Sequence, residues 1–226
     1  MIDRINAYYR LIYKFDQLGG LRTRIHFDEK WSEYIVRNQV IIKGWLKYNL
    51  VEYLQRRNPN VPGVIDKLYP PQERKLEDIQ KYWKLIMTVQ PVVEIYGNGE
   101  LTEKDISIDH FVPWSYVAND EIWNLHPTTK SINSSKSNNL PRWDVYFKKL
   151  SGLEYLSYQL MWRHDGIRKE FEKIKKKHLN SPLVEGRLYA PNLSGEDFCV
   201  RLSEIVLPVY QSAKAAGFRE WEYTAE

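Results

Sequence analysis

The apolar pattern of the chain changes its period near the middle. Before Gly97 and after Pro141, apolar residues recur three or four positions apart, which is the spacing of amphipathic helices. Between those positions the pattern alternates over short stretches, as in residues 105–109, which is typical of a strand. The sequence therefore predicts a mainly α chain with one small strand–loop–strand–helix insert, and an α+β fold overall.

Helical patterns also define the regions on both sides of the insert. Asp28 is a predicted N-cap for a helix that runs towards Pro59, and residues 58–63 have the composition of a turn. The further predicted elements are helices over 72–90, 143–163 and 168–178, a last helix capped by Ser194 and Asp197, and, within the insert, a second strand over 122–126 and a helix over 130–137. We expect a helical N-terminal region (1–95), the insert (96–145) and a helical C-terminal region (146–226), packed as one unit.

Cysteine content and apolar runs restrict the setting in which the protein works. The single cysteine, Cys199, excludes an internal disulfide framework and a cysteine-based zinc site, so no structural zinc is expected. The first ten residues lack the apolar core of a secretory signal. The longest apolar runs are far too short to span a bilayer. A cytoplasmic location without a membrane partner is therefore expected.

The insert places side chains suited to phosphodiester cleavage in a particular order. Asp109 and His110 end the first predicted strand, Asn124 lies on the second, and Asn133 lies on the helix that follows. Histidine is the side chain whose unperturbed pKa suits a general base near neutral pH, which makes His110 the candidate base. Asp109 and Asn133 offer oxygen ligands of the hard type that Mg²⁺ accepts. Cleavage of a phosphodiester needs both a base and a cation.

The motifs Asp-His-Φ-Φ-Pro, Asn-Leu and Asn-x-x-Lys-Ser-x-x-Leu-Pro lie between residues 105 and 141. In this order they resemble the HNH (ββα-metal) endonucleases, in the variant found in the HNH domain of RNA-guided CRISPR nucleases and related bacterial HNH proteins. The resemblance implies an endonuclease that depends on Mg²⁺ or Mn²⁺ and acts on DNA, with RNA not excluded. It also implies a part in bacterial restriction or antiviral defence.

The resemblance assigns roles to individual residues. Asp109 and Asn133 would be metal ligands and His110 the general base, while Asn124 would hold the loop that orients the histidine. Lys136 would lie one helical turn from Asn133, near enough to approach a phosphate. These roles make the insert the expected active site.

His126 departs from the family pattern, which usually has an apolar residue at this place. It lies two residues after Asn124 and so on the same face of the predicted strand. Two interpretations stay open for it: contact with the scissile phosphate, or a solvated histidine on the strand.

Positive charge is concentrated after the insert. Residues 130–180 contain 12 Lys and Arg against five Asp and Glu, whereas the whole chain has a formal charge of +4. Lys169, Lys173 and Lys176 recur at helical spacing and would follow a nucleic-acid backbone. The alternative for this helix is a merely solvated face.

A second function of a different class is compatible with the same residues. The chain would then be a nucleic-acid-binding subunit whose nuclease site is dormant until a partner protein activates it. Co-purification with a larger protein would favour the dormant subunit.

In the endonuclease interpretation, one active site cuts one strand. Double-strand cutting would therefore require a homodimer or two encounters.

Overall fold

The computed structural model describes residues 1–8, 12–57, 64–68 and 76–224, and they fall into two compact units. The first unit spans Met1–Arg57 and the second spans Asn58–Glu226. Residue 95, the expected end of the N-terminal region, lies inside the second unit, and the expected division into three regions stays a prediction. The predicted turn at 58–63 lies outside the described residues.

The first unit combines a hairpin with helices. Its elements are α1 (Ile2–Tyr8), β1 (Tyr13–Gln17), β2 (Arg24–Phe27), α2 (Glu29–Arg37) and α3 (Gln39–Arg57). Asp28 caps α2 as predicted, because its carboxylate accepts from the Lys30 amide at 3.1 Å. The long predicted helix is interrupted at Asn38, where the backbone leaves the helical conformation. The antiparallel β1–β2 hairpin contradicts the expectation that this part of the chain is wholly helical.

The second unit carries the core and the insert. Its elements are α4 (Val64–Leu68), α5 (Glu77–Met87), β3 (Ser107–His110), α6 (Trp114–Val117), β4 (Leu125–Thr128), α7 (Lys130–Lys136), β5 (Leu140–Pro141), α8 (Trp143–Arg163), α9 (Asp165–His178), α10 (Pro182–Leu188), α11 (Gly195–Ala215) and β6 (Glu220–Trp221). The bounds of α8 match the prediction, and Ser194 caps α11 through the Asp197 amide. The expected mainly α, α+β class is confirmed.

Helix packing around α8 holds the insert in place. α8 packs against α9 and α11, while α5 packs against α9 and contacts both β3 and β4. The short parallel pair β5–β6 ties the end of the insert to the C-terminal segment, since the Leu140 amide donates to the Arg219 carbonyl at 2.8 Å. Flanking helices thus provide the support for the insert. Within the described ranges, no helix is long and apolar enough to cross a membrane.

A buried acid in α8 makes the stability of this unit depend on pH. Burial raises the pKa of Glu154 well above its ordinary value of 4.5, and its Oε1 atom has no hydrogen-bond partner in the described part of the chain. Burial, and to a smaller extent the Glu154 carboxylate, raises the pKa of the Tyr82 and Tyr189 phenols. The folded protein keeps the Glu154 proton to higher pH than the unfolded chain does. The stabilisation from the protonated carboxyl is therefore complete below about pH 4.5, and the free energy of unfolding falls as the pH rises, by at most about 1.4 kcal/mol per pH unit.

Replacing Glu154 with Gln should remove this decline, because the amide stays neutral. We expect the free energy of unfolding of Glu154→Gln to exceed that of the wild type at pH 8 by more than it does at pH 5. Urea unfolding at both pH values measures the difference. Glu196→Gln, an exposed acid on α11, is the control. Equal differences at the two pH values would show that Glu154 does not titrate as described.

Candidate active site

The insert is built on a two-stranded antiparallel ladder. β3 pairs with β4 so that Asp109 lies opposite His126 and His110 lies opposite Leu125. The second predicted strand begins later than expected, because Ile122–Asn124 form a 3-10 turn before β4. α7 follows β4 and is capped by the Thr129 side chain, which accepts from the Ile132 amide at 3.3 Å. The ladder and α7 together carry the polar residues singled out by the sequence.

Asn124 fixes the main chain just after His110. Its Oδ1 accepts from the Val112 amide at 2.7 Å, and its Nδ2 donates to the Val112 carbonyl at 2.9 Å. The Asn124 carbonyl also accepts from the Phe111 amide at 2.9 Å. Asn124 is fully buried, so these bonds are not exchanged with water. These bonds hold the loop that follows His110, while the role of Asn124 in orienting the histidine stays a prediction.

Asp109 lies in a buried cluster in which both of its oxygens have partners. The Lys136 ammonium lies 3.1 Å from each carboxylate oxygen and also donates to the His110 carbonyl at 2.8 Å. The Tyr96 hydroxyl donates to Oδ2 at 2.9 Å. Only 6% of the Asp109 side chain and none of the Lys136 side chain is exposed. The two opposite charges therefore neutralise each other inside the protein.

His126 belongs to the same buried cluster. Its Nε2 lies 3.1 Å from the Tyr96 hydroxyl, which gives its own proton to Asp109, so Nε2 carries the hydrogen of that contact. Nδ1 is then a buried acceptor, and it has no partner among the described residues. Burial lowers the pKa of His126 to about 4, so the ring is neutral near pH 7.

Lys136 and His126 differ from their expected placement at a phosphate. Both side chains are fully buried, so neither reaches a phosphate at the surface in this conformation. Lys136 turns inward because the buried Asp109 carboxylate on the adjoining β3 needs a counter-ion in the interior. His126 is neither a surface ligand nor a solvated strand residue, because it packs edge-on against Tyr96 and Phe111.

Asn133 lies against β3 from α7. Its Nδ2 donates to the Ser107 hydroxyl at 2.8 Å and to the Ile108 carbonyl at 3.3 Å. Both contacts use the amide nitrogen, which leaves the side-chain oxygen for another partner. Asn133 is half-buried whereas Asp109 is buried, so Asn133 is the more exposed member of the predicted pair.

His110 makes a hydrogen-bonding contact with Asp120 that the sequence pattern did not reveal. Its Nε2 lies 2.8 Å from Oδ1 of Asp120, with 6% and 18% of the two side chains exposed. Asp120 lies in the polar loop between α6 and the 3-10 turn. Tyr96 is the other site residue that the sequence interpretation missed. Neither spacing nor charge distinguishes these two residues from ordinary loop positions.

The three lysines predicted to follow a nucleic-acid backbone, Lys169, Lys173 and Lys176, all lie exposed on α9. The opposite face of the helix buries Ile167, Phe171 and Ile174. Lys173 is paired with Glu170 at 2.6 Å, whereas Lys169 and Lys176 form no ion pair with any described residue. These two are therefore the lysines of the predicted set that remain available to an anionic ligand.

Comparison with protein families identifies the insert. Residues 94–142 match the family described as HNH endonuclease, and this range includes Asp109, His110, Asn124 and Asn133. The resemblance to the HNH superfamily is thus confirmed for this segment, while the resemblance to the CRISPR-associated variant stays a prediction. Comparisons with curated proteins and with solved structures gave no match. An HNH endonuclease domain indicates a nuclease that acts on nucleic acid.

HNH endonucleases generally depend on a divalent metal, and the donor atoms of the insert fit such an ion in kind. Asp109 offers a carboxylate and Asn133 an amide oxygen, which are ligands that Mg²⁺ and Mn²⁺ accept. No group of three or more His, Cys, Asp or Glu in the described ranges is arranged to hold a metal. A cation at Asp109 would compete with the Lys136 ammonium for the same oxygens.

Proposed function

We propose that this HNH domain makes the protein a metal-dependent endonuclease that hydrolyses phosphodiester bonds of DNA. The observation that carries the proposal is the match of residues 94–142 to HNH endonucleases, with Asp109 and His110 on β3 and Asn133 on the adjoining α7. RNA has the same phosphodiester chemistry and is the alternative substrate. A part in bacterial restriction or antiviral defence is proposed from the family resemblance.

The mechanism assigns one task to each side chain. His110 takes the proton from the water that attacks the phosphorus atom. Asn124 keeps the His110 loop closed through its two bonds to Val112. Asp109 and Asn133 would hold Mg²⁺ or Mn²⁺, and such an ion, when bound, stabilises negative charge on the phosphate and on the leaving oxygen.

Lys136 has a different task from the one expected from the sequence. Its ammonium bridges Asp109 and the His110 carbonyl, so it connects two neighbouring residues of the site. We propose that Lys136 acts as the internal counter-ion of Asp109. In this position it also restrains the backbone on which His110 lies.

Substrate binding is proposed for the exposed face of α9. Of the predicted set, Lys169 and Lys176 are the cations without an ion pair to the described part of the chain, and a duplex backbone offers regularly spaced phosphates to such a face. Contacts of this kind position a nucleic acid without reading its sequence. The exposed face of α9 would therefore bind DNA of any sequence.

One observation favours the second candidate function. Both oxygens of Asp109 already have partners in a cluster that is nearly closed to solvent. A nuclease whose metal ligand is occupied in this way is dormant until the cluster rearranges. In this alternative a partner protein, or a second copy of the chain, provides the rearrangement.

Two sets of substitutions separate catalysis from binding. We expect Asn133→Ala and Asp109→Asn to lose cleavage in Mg²⁺ while their affinity for a DNA duplex stays within about twofold of the wild type. The reason is that neither residue lies on α9. Gel-based cleavage and fluorescence anisotropy on the same duplex measure the two properties. Retention of cleavage by both variants would contradict the assigned metal ligands.

The opposite pattern is expected for the double variant Lys169→Gln/Lys176→Gln. Its affinity should fall, and the slope of log Kobs against log salt should become shallower by about 2, because two phosphate contacts are lost. Lys30→Gln/Lys43→Gln, which removes the same charge from the first unit, is the control. An unchanged salt slope would exclude α9 as the proposed binding face.

A further inference from the structure

We propose that Asp120 is a positioning residue for His110, and that the C-terminal end of α9 holds Asp120 in place. The inference rests on the proposed function, since it names a residue that acts through the proposed base. Its first support is the 2.8 Å contact between His110 Nε2 and Asp120 Oδ1, formed between two largely buried side chains.

The contact selects one nitrogen of His110 as the base. An ionised carboxylate accepts hydrogen bonds and donates none, so Nε2 carries a proton and Nδ1 has the free electron pair. Nδ1 is then the atom that takes the proton from water. The same bond restrains rotation of the ring about its Cβ–Cγ bond, so Nδ1 keeps one direction.

The loop that carries Asp120 is itself anchored from α9. The ring of His178, the last residue of α9, donates from Nδ1 to the Asp120 carbonyl at 3.0 Å, because a carbonyl oxygen only accepts. Two residues later, Asn180 donates from Nδ2 to Glu121 Oε1 at 2.7 Å. The backbone amide of Asn180 also donates to Oε1 of Glu121, at 3.3 Å.

Burial supports the view that these contacts persist. His178 and Glu121 are 6% and 7% exposed, so little water competes for their hydrogen bonds. The helix proposed to bind phosphates through Lys169 and Lys176 therefore also ends on the loop that orients His110. The hydrogen bonds of His178 and Asn180 thus connect α9, the proposed binding helix, to the loop that contacts His110, the proposed base.

A purely structural contact between Asp120 and His110 would have different consequences. It would stabilise the loop whether or not His110 takes part in the reaction. A positioning residue affects the rate only through His110, so its removal should have no further effect once His110 is absent. A double-mutant cycle separates the two cases.

The experiment measures single-turnover cleavage of a labelled duplex by the full chain. We expect Asp120→Ala to lower the cleavage rate constant about 10- to 100-fold with little change in DNA affinity. Asp120→Asn should retain part of the rate, because its amide oxygen still accepts from Nε2. In the His110→Ala background, Asp120→Ala should cause no further loss. Asp197→Ala, which removes a carboxylate at the start of α11, is the control.

Asn180→Ala provides a second variant that leaves the Asp120 carboxylate intact. We expect a smaller loss of rate, again absent in the His110→Ala background, because only the anchoring of the loop is weakened. A wild-type rate for Asp120→Ala, or an equal loss in both backgrounds, would overturn the inference.

The protonation state of the His110 ring provides a readout that does not depend on cleavage. Long-range ¹H–¹⁵N NMR spectra of the neutral ring should show the hydrogen on Nε2 in the wild type and a mixture of both tautomers in Asp120→Ala. A hydrogen on Nδ1 in the wild type would overturn the inference even if the protein cleaves DNA. If the wild type carries the hydrogen on Nε2 but does not cleave DNA, the proposed function is wrong, whereas the positioning of His110 by Asp120 is supported.

Discussion

Replacing His110 with Ala is expected to lower the rate constant for DNA cleavage by about 10²–10⁴-fold, the range typical of the loss of a general base. No other described imidazole lies at the end of β3, the strand that Asn133 contacts from α7. His126, the nearest alternative, is neutral, fully buried and bonded to Tyr96. The base function therefore depends on a single side chain.

Rate constants for His110→Ala should be measured with saturating protein, so that a change in DNA affinity does not enter the result. His164→Ala is a matched control, because His164 is an exposed histidine that precedes α9. A His110→Ala variant that cleaves within a few-fold of the wild type would contradict the assigned base. Recovery of part of the activity at high pH would support it, since hydroxide then replaces the need for proton removal.

Replacing Lys136 with Met is expected to lower the free energy of unfolding of the second unit by about 3–5 kcal/mol, the usual effect of breaking a buried ion pair. The substitution leaves the Asp109 carboxylate buried without its cation, and it also removes the donor to the His110 carbonyl. The loss comes from the charge that remains, because methionine fills nearly the same volume as lysine. Urea unfolding followed by tryptophan fluorescence measures the effect.

Two comparisons make the Lys136 prediction specific. Lys130→Met removes an exposed lysine from the same helix and should change the free energy of unfolding by less than about 0.5 kcal/mol. The double variant Lys136→Met/Asp109→Asn removes both charges and should recover much of the lost stability. A Lys136→Met protein as stable as the wild type would show that the buried pair is absent in solution.

Sequence periodicity predicted the larger elements because their signals are local. The apolar spacing and the capping residues Asp28 and Ser194 are sufficient to place α2 and the start of α11. The β1–β2 hairpin was missed because its burial pattern is weak, with no fully buried residue in either strand. The interruption at Asn38 was missed because the apolar spacing continues across it.

The sequence predicted the order of the candidate site residues along the chain, but only some of their contacts. Asp109, His110, Asn124 and Asn133 were found because they belong to motifs with fixed spacing. Asp120 escaped notice because it contacts His110 across a loop, and hydrogen bonds between separated residues leave no periodic signal. Lys136 was expected at the surface because helical spacing gives the side of a helix, whereas burial depends on what packs against that side.

The most direct test of the nuclease assignment is cleavage of supercoiled plasmid by the purified wild-type chain in Mg²⁺, in Mn²⁺ and in EDTA. The account predicts nicked or linear plasmid with either metal and intact supercoiled plasmid in EDTA. Cleavage that persists in EDTA would contradict a metal-dependent HNH mechanism. Intact plasmid under all three conditions, with binding retained, would contradict an autonomous nuclease and would favour the dormant subunit that awaits a partner.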